Sequence, residues 1–337
     1  MASARQRDPE TVRAGLAAWS GAEVGAVVRP STGGLSSETY LFDAGDRSLV
    51  ARLAPAGDAL FPVYDLRTQG LLIARLGELG VVPVPRVEAY VDDPQWLGAP
   101  FLVMERVAGL IPTDNPPFTL TGFVHDAPPE RQRVLQGNFV DACARIHRAD
   151  WRGELGVGHL VTRTGGPALA AEVAWWSDYL DWATDGAPPG LLADARAWCA
   201  ESMPDAEPEP SLLWGDVRIP NVVFDDAFAV RAVLDWEMAS IGPAELDVGW
   251  LLVIQRMTTD VTGDLPGFLP RAELLARYET RLGRPLHDLA WYEAWAAFRS
   301  AAIMVRLTAL LHEMGLVPDL GMQTQNPPAD MLRALLA

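Results

Sequence analysis

The amino-acid sequence predicts an α+β protein of two lobes, a small strand-rich N-terminal lobe and a larger, mostly helical C-terminal lobe. Its 337 residues are enough for two units, since a domain averages roughly 150 residues. Short runs rich in β-branched and aromatic residues fall mainly within the first hundred residues, and helical periodicity dominates the rest. We place the N-terminal lobe at 1–106 and the C-terminal lobe at 107–337, with a helical insertion over about 116–210.

The N-terminal lobe is predicted to contain two helices and five short strands. Asp8, Pro9 and Glu10 are typical of a helix start, and this first helix is predicted to end near Trp19. The turn residues at 43–46 predict a hairpin between two of the strands. The predicted strands are 24–29, 39–43, 48–53, 87–91 and 101–105, and the second helix is 66–79.

The C-terminal lobe is predicted to be helical around a small patch of strands. Its predicted helices are 131–147, 168–183, 191–203, 244–257, 271–282 and 286–314. The patch lies in the middle of the chain, and its predicted strands are 212–214, 221–224 and 230–234.

Composition excludes several kinds of chemistry. All 27 basic residues are arginine, so the chain cannot use a Walker-type phosphate loop, a Schiff base or a pyridoxal-phosphate anchor, each of which needs lysine. A net charge of −17 argues against nucleic-acid or membrane partners, because both favour a basic face. Most of this charge falls on the C-terminal lobe, which is consistent either with a cationic acceptor such as an aminosugar or with solubility alone.

The remaining features indicate an ordinary cytoplasmic protein. Two cysteines form neither a disulfide framework nor a zinc site, and the five histidines show no metal-ligand spacing. We expect no signal peptide and no transmembrane segment, because Arg299 and Arg306 interrupt the most apolar stretch. The sequence sets no oligomeric state.

Three oxygen-bearing side chains follow the ends of neighbouring predicted strands. Asp216 and Asn221 lie five residues apart in one loop, and Asp235 ends the next strand. Any one of them is readily explained as a turn residue or helix cap. Together they provide what phosphoryl transfer requires, a carboxylate to deprotonate the attacking hydroxyl and hard oxygen ligands for Mg²⁺. We assign Asp216 to the first role and Asn221 and Asp235 to the second.

This region resembles the catalytic loop of the aminoglycoside phosphotransferase and choline kinase superfamily, which has a protein-kinase-like fold. The family pattern is His-Gly-Asp, four residues, Asn, and then a strand that ends in Asp-Trp-Glu. Residues 240–250 resemble the following family segment, in which Asp247 would brace the catalytic loop. Residues 33–40 resemble the glycine-rich loop and 101–109 resemble the hinge. The resemblance covers about residues 25–315.

The resemblance implies that ATP or GTP binds with Mg²⁺ between the lobes. Gly33, Gly34 and Ser36 would cover the nucleotide, although the two glycines could simply permit a tight hairpin. The carbonyl of Glu105 and the N–H of Val107 would hold the base, unless this is an ordinary strand exit. Two arginines complete the implied site: Arg52 would hold the α and β phosphates, and Arg218 would reach the γ-phosphate or remain a solvated loop residue.

Three positions depart from the family pattern. Trp214 replaces the usual histidine, and because indole cannot titrate we expect a scaffold role there. Arg52 replaces the phosphate-holding lysine, and Gln69 replaces its glutamate partner. Arginine can still grip two phosphate oxygens, but we expect its position to be less fixed without a carboxylate partner.

The predicted function is an ATP- or GTP-dependent small-molecule O-phosphotransferase. One alternative is a catalytically weak nucleotide-binding regulatory module, and another is a helical interaction protein whose motifs are coincidental. The acceptor is also open. The stretch at 61–66 and the Trp-Gly-Asp-x-Arg pattern resemble a branch that is also found fused to acyl-CoA dehydrogenases, which implies hydroxyacyl thioesters instead of aminosugars.

Overall fold

The N-terminal lobe is built on a four-stranded antiparallel sheet. The computed structural model describes residues 7–30, 36–166 and 169–337. The strands are β1 (Glu38–Ala44), β2 (Arg47–Leu53), β3 (Val87–Val91) and β4 (Phe101–Glu105), and their order in the sheet is β1-β2-β4-β3. Four of the predicted strands and the hairpin are thereby confirmed.

The predicted strand at 24–29 is wrong. Only two isolated bridges form there, Val24 with Ala44 and Val28 with Leu41. Val24 and Val28 lie four residues apart, whereas their partners Ala44 and Leu41 lie three residues apart. This one-residue shift in register prevents a continuous ladder.

Two helices complete the lobe, α1 (Pro9–Ser20) and α2 (Leu66–Glu78). The side chain of Asp8 caps α1 by accepting a hydrogen bond from the Thr11 amide, and Asp65 caps α2 by accepting one from the Thr68 amide. Helix α2 packs closely against β4, since a Cβ added at Gly70 would lie 2.8 Å from the Leu102 side chain. The start of α2 is thereby fixed beside the sheet.

The C-terminal lobe contains eight helices within the described residues. They are α3 (Pro129–His147), α4 (Gly158–Val161), α5 (Leu169–Ala183), α6 (Gly190–Glu201), α7 (Glu245–Thr262), α8 (Arg271–Leu282), α9 (Leu289–Glu313) and α10 (Pro327–Leu336). The six predicted helices are confirmed. Two helices were not predicted, α4, which is a single turn, and α10, although Asn326 before two prolines is a recognisable helix start.

Helix α9 forms the centre of this lobe. By length and composition alone it could cross a membrane, but 61% of its most apolar 18-residue stretch is buried inside the protein. Its Arg299 is fully buried, with the guanidinium over the rings of Trp176 and Trp250 at 4.7 and 4.9 Å. This helix therefore packs as the core helix of the lobe.

Two small antiparallel strand pairs place the site. Strand β5 (Pro210–Leu213) pairs with β8 (Ser240–Pro243), and β6 (Val222–Phe224) pairs with β7 (Val230–Val233). The loops that connect them contain the predicted catalytic and metal-binding residues. Strand β8 was not predicted because it contains Gly-Pro, a pair typical of turns.

The segment after β4 is attached to this patch of strands. Leu110 exchanges two backbone hydrogen bonds with Phe224, at 2.7 and 2.8 Å. A Cβ at Gly109 would lie 2.5 Å from the Phe224 carbonyl oxygen, so only glycine allows this close approach. The N-terminal sheet is therefore held directly beside the strand that follows Asn221.

Candidate active site

The backbone of the loop that contains Asp216 is held by Asp247 at the start of α7. Its Oδ2 accepts hydrogen bonds from the Trp214 amide at 2.7 Å and lies 2.9 Å from His147 Nε2, while Oδ1 accepts from the Gly215 amide at 3.0 Å. This carboxylate is almost completely buried. These contacts confirm the interpretation of Asp247 as a brace for the loop.

The indole of Trp214 ties the catalytic loop to the end of β7. The ring is buried, and Nε1 donates to the carbonyl oxygens of Leu234 at 2.8 Å and Asp235 at 3.1 Å. This geometry confirms the expected scaffold role. Gly215 adds a second tie, because its φ is +90° and a Cβ would lie 2.2 Å from the Met238 carbonyl oxygen.

The carboxylate of Asp216 is held by three side-chain donors. Oδ2 accepts from Arg218 Nε at 2.8 Å and from Asn221 Nδ2 at 2.7 Å. Oδ1 accepts from Trp250 Nε1 at 3.0 Å. The structure therefore brings together three residues that the sequence predicted, and it adds Trp250, which lies on α7 and carried no sequence signal of its own.

Arg218 lies between two carboxylates. Besides the contact with Asp216, its Nη1 donates to Asp114 Oδ2 at 2.5 Å. Burial lowers the pKa of Arg218, but Asp216, Asp114 and Asp235 outweigh this effect and raise it above the ordinary value. A permanent positive charge therefore lies directly beside Asp216.

Arg52 joins the two lobes. Its Nη2 donates to Ser37 Oγ at 2.8 Å, to Asp235 Oδ1 at 3.0 Å and to Glu237 Oε2 at 3.3 Å. The expectation that Arg52 lacks a carboxylate partner is therefore wrong. Two carboxylates that follow β7 in the other lobe replace the one that Gln69 cannot provide.

Glu237 lies at the contact between the two charge clusters. Burial raises its pKa well above the ordinary value, as does the charge of Asp235, while Arg52 and a hydrogen bond with Ser36 oppose the shift. The loop that contains Asp216 is tied to this segment, because Trp214 Nε1 donates to the Asp235 carbonyl oxygen at 3.1 Å and a Cβ at Gly215 would lie 2.2 Å from the Met238 carbonyl oxygen. The Asp216 cluster and the Arg52 cluster therefore belong to one site.

Unsatisfied polar atoms at this site point to a polar ligand. Arg52 Nε and Gln69 Oε1 are buried and have no hydrogen-bond partner among the described residues. A buried donor or acceptor is costly when left unpaired. A phosphate oxygen beside Arg52 would satisfy the first of these atoms.

The other predicted nucleotide contacts are only partly described. Gly33 and Gly34 lie outside the described residues, whereas Ser36 is buried against Glu237. The Glu105 carboxylate accepts from the Arg86 amide at 3.0 Å. Within the described chain, the Val107 amide donates to no other group, so it is available to a ligand.

The oxygen ligands suit magnesium held together with phosphates. The described residues contain no cluster of three His, Cys, Asp or Glu side chains arranged around a metal. Mg²⁺ in phosphoryl-transfer sites usually takes only one or two carboxylates and completes its shell with phosphates and water. Asp235 and Asn221 fit that requirement, because Asp235 Oδ2 and Asn221 Oδ1 make no hydrogen bond to the described residues.

A cavity of about 250 Å³ adjoins the Arg52 cluster, and we name it the insertion cleft. It lies between the start of α2, the segment after β7, and the helical insertion. Its lining includes Phe61, Gln69, Arg163, Trp175, Glu237 and Met238.

The model of the phosphotransferase enzyme family matches residues 27–299, which is most of the chain. The chain belongs to this phosphotransferase family. The chain is also 27% identical over 293 residues to the probable acyl-CoA dehydrogenase IBR3 of Arabidopsis thaliana, covering 80% of the chain and 34% of that protein. It is 28% identical over 210 residues to the human acyl-CoA dehydrogenase family member 11, covering 62% of the chain and 25% of that protein. The chain thus spans about a third or less of the length of these relatives.

Solved structures confirm the two-lobed kinase-like fold of the chain. A Ralstonia eutropha protein whose name assigns it to the aminoglycoside phosphotransferases superposes with a TM-score of 0.70 at 21% identity, covering 97% of the chain and 95% of that protein. A thermostable mutant of the aminoglycoside phosphotransferase APH(4)-Ia in ternary complex with AMP-PNP and hygromycin B gives a TM-score of 0.57 at 17% identity, with 96% and 98% covered. At these identities the likeness establishes the fold alone.

Proposed function

We propose that the protein is a magnesium-dependent O-phosphotransferase that moves the γ-phosphate of ATP or GTP to a hydroxyl group of a small molecule. The observation that carries this proposal is the placement of Asp216. Three side chains orient its carboxylate, and Trp214, two residues earlier, ties its loop to Asp235 in the cluster formed by Arg52, Asp235 and Glu237. This arrangement supports a general base beside a nucleotide site.

Asp216 Oδ1 is the atom best suited to accept the proton. Oδ2 already accepts two hydrogen bonds, whereas Oδ1 accepts one, from Trp250, among the described residues. A carboxylate oxygen has two lone pairs, so Oδ1 can also accept a hydroxyl. The acceptor oxygen forms a bond to the γ-phosphorus, the bond from phosphorus to the bridging oxygen breaks, and the proton passes to Oδ1 as the nucleoside diphosphate leaves.

Arg52 would hold the α and β phosphates of the nucleotide. Its buried Nε needs an acceptor, and its planar guanidinium can bind two oxygens at once. Ser36, together with Gly33 and Gly34, would cover the phosphates. Glu105 and Val107 would hold the base through their backbone.

Asn221 and Asp235 would hold Mg²⁺ with their oxygen atoms, and the bound ion would neutralise charge on the phosphates. Arg218 would add a positive charge beside the γ-phosphate as charge develops there. Its guanidinium is already oriented by Asp216 and Asp114, so little rearrangement is needed.

Two acceptor classes follow from the comparisons. The fold neighbours are named as phosphotransferases of aminoglycosides and, in two cases, of macrolides, or as a choline/ethanolamine kinase family protein, whereas the sequence relatives are named acyl-CoA dehydrogenase family members. The second group favours hydroxyacyl thioesters as acceptors, since those relatives share 26–29% sequence identity with the chain, against 16–21% for the fold neighbours.

The test is a turnover assay with purified protein, Mg–ATP or Mg–GTP, and a panel of aminosugars and hydroxyacyl thioesters. Asp216→Asn should bind nucleotide normally and lose roughly 10²- to 10⁴-fold in turnover. Asp226→Asn, in the exposed turn between β6 and β7, is the matched control and should behave like the wild type. Unchanged turnover in Asp216→Asn would remove this residue from the mechanism. Nucleotide binding without turnover of any acceptor would favour a weak nucleotide-binding module instead.

A further inference from the structure

The indole of Trp250 sets the orientation of the Asp216 carboxylate. Its Nε1 donates to Oδ1 at 3.0 Å, while Arg218 and Asn221 hold Oδ2. Oδ1 is the oxygen that takes the proton in the proposed mechanism, and its second lone pair remains for the acceptor hydroxyl. A rotation of the indole would turn that lone pair away from the hydroxyl. The contacts that hold the indole therefore bear on the reaction.

Arg299 on α9 lies against this indole. The central carbon of its guanidinium is 4.9 Å from the centre of the Trp250 ring and 4.7 Å from the centre of the Trp176 ring on α5. Only 1% of Arg299 is exposed. The attraction between a cation and an aromatic face becomes stronger when water is excluded. This contact therefore holds the Trp250 ring in place.

Arg299 also reaches the backbone beside Asp216. Its Nη2 donates a long hydrogen bond, at 3.5 Å, to the carbonyl oxygen of Gly215, and it makes no other hydrogen bond to the described residues. Arg299 therefore contacts both attachments of Asp216, the indole that binds the carboxylate and the residue that precedes it in the chain.

The two helices that contain Trp250 and Arg299 are in direct backbone contact. A Cβ added at Gly249, the residue before Trp250, would lie 2.5 Å from the carbonyl oxygen of Tyr292 on α9. Only glycine allows so close an approach. The position of Trp250 relative to α9 is thereby fixed at the level of the main chain.

Stability alone does not account for an arginine at this position. The buried Nε of Arg299 has no hydrogen-bond partner among the described residues, and Nη2 has only the long contact with Gly215. A buried charge without a close ionic partner is costly, and an apolar side chain of similar volume often replaces a buried charged group without loss of stability. What arginine adds here is its contact with the Trp250 ring and its hydrogen bond to the loop.

We propose, on the basis of the proposed phosphotransferase function, that Arg299 is a positioning residue that keeps Asp216 in its reactive orientation through Trp250 and the Gly215 carbonyl. Arg299 itself is buried away from the nucleotide and the acceptor. Misplacement of a reacting group by about 1 Å can slow a reaction about 100-fold. Loss of Arg299 should therefore lower kcat about 10- to 100-fold and change the KM for nucleotide by less than about twofold.

The first experiment compares Arg299→Met with the matched control Arg306→Met on the same helix. Arg306 lies 5.0 Å from the centre of the Trp182 ring and donates to the Ala59 carbonyl oxygen at 2.8 Å. Both variants therefore lose a cation over an indole and a hydrogen bond to a carbonyl, but only Arg299 contacts the attachments of Asp216. Arg306→Met should keep the wild-type kcat. An equal fall of kcat in both variants, or an unchanged kcat in Arg299→Met, would overturn the proposal.

A double-mutant cycle with Asp216→Asn determines whether the effect passes through Asp216. The assay uses Mg–ATP with kanamycin and 3-hydroxybutyryl coenzyme A as representatives of the two acceptor classes. With asparagine at 216 the base is already lost, so the added Arg299→Met should lower kcat by less than about twofold. A merely structural role would lower kcat by the same factor in both backgrounds, and that result would also overturn the proposal.

A second measurement needs no turnover. The indole N–H of Trp250 gives one signal in a proton–nitrogen correlation spectrum, and Trp250→Phe assigns this signal by removing it. Asp216→Asn should shift the signal, because a neutral amide replaces the accepting carboxylate. Arg299→Met should shift it as well, whereas Arg306→Met should not. A Trp250 signal that does not move in Arg299→Met would contradict the proposed connection.

The folding of each variant is checked by the thermal shift that Mg–AMP-PNP produces. Should Arg299→Met fail to fold, Arg299→Lys replaces it, since lysine keeps the charge but loses the planar group over the ring. Arg299→Lys should show a smaller fall in kcat and a shifted Trp250 signal, and wild-type behaviour in both would overturn the proposal. A Trp250 signal that responds to Arg299→Met, with no turnover of any acceptor by the wild type, would keep the connection to Asp216 and remove the proposed function.

Discussion

The ion pair between Arg52 and Asp235 is expected to stabilise the contact between the two lobes. We consider the single variants Arg52→Ala and Asp235→Asn and the double variant, all without nucleotide and Mg²⁺. A parallel cycle combines Arg52→Ala with Gln69→Ala. Gln69 is the partner that the position on α2 predicts, but it makes no hydrogen bond to Arg52 in the described structure.

The magnitude follows from the geometry. At 3.0 Å, two unit charges attract by about 5 kcal/mol at an effective dielectric constant of about 20. The Arg52 side chain is 10% exposed and that of Asp235 is 23% exposed, so screening is limited, but burial of both charges offsets much of the attraction. Each single variant also leaves a second carboxylate, Glu237, beside the site. We therefore expect a coupling energy of about 1–3 kcal/mol for the first cycle.

The assay is urea unfolding, followed by the fluorescence of the 12 tryptophans and by circular dichroism. Coincident transitions by the two probes would justify a free energy of unfolding for each variant. The cycle with Gln69→Ala should be additive within about 0.5 kcal/mol. Additive effects for Arg52 with Asp235, or an equally large coupling with Gln69, would refute the assignment of Asp235 as the partner of Arg52.

Two further outcomes follow from backbone geometry and burial. Gly215→Ala should lower the free energy of unfolding by more than about 2 kcal/mol, because it combines a positive φ with a clash at Met238. The control Gly45→Ala has a positive φ in open space and should cost about 1–2 kcal/mol. Similar decreases in melting temperature for the two variants would contradict the close approach at Gly215. Burial raises the pKa of Cys199 to about 12 and that of Cys143 well above its ordinary value. At pH 8 both thiols should therefore be almost entirely protonated and unreactive toward Ellman's reagent, becoming reactive only on unfolding, and a rapidly labelled thiol in the native protein would contradict this.

The parts of the fold that depend on local pattern could be predicted from the sequence. Helical periodicity and caps such as Asp8 fixed α1, and alternating apolar residues with a turn fixed β1 and β2. The errors concern elements that exist only through a distant partner. Strand β8 forms because β5 pairs with it, despite its Gly-Pro, and 24–29 fails as a strand because its register against β1 shifts.

The candidate site shows the same division. Asp216, Asn221 and Asp235 could be predicted because their spacing along the chain is short and the loops that contain them follow recognisable strands. Trp250 could not be predicted, since its contact with Asp216 depends on how α7 packs. No local pattern in the sequence distinguishes that tryptophan from the others of the core.

The partners of Arg52 show why glutamine at position 69 does not by itself leave the guanidinium without a carboxylate. Helix register alone assigns its partner to position 69, where glutamine provides no charge. The fold instead directs the carboxylates of Asp235 and Glu237 from the opposite lobe to the same guanidinium. In the proposed mechanism the phosphates bind the unpaired Nε of Arg52 while Asp235 Oδ2 remains available to Mg²⁺. Nucleotide and metal would therefore enter together, since phosphates without the ion would face two carboxylates with only one guanidinium between them.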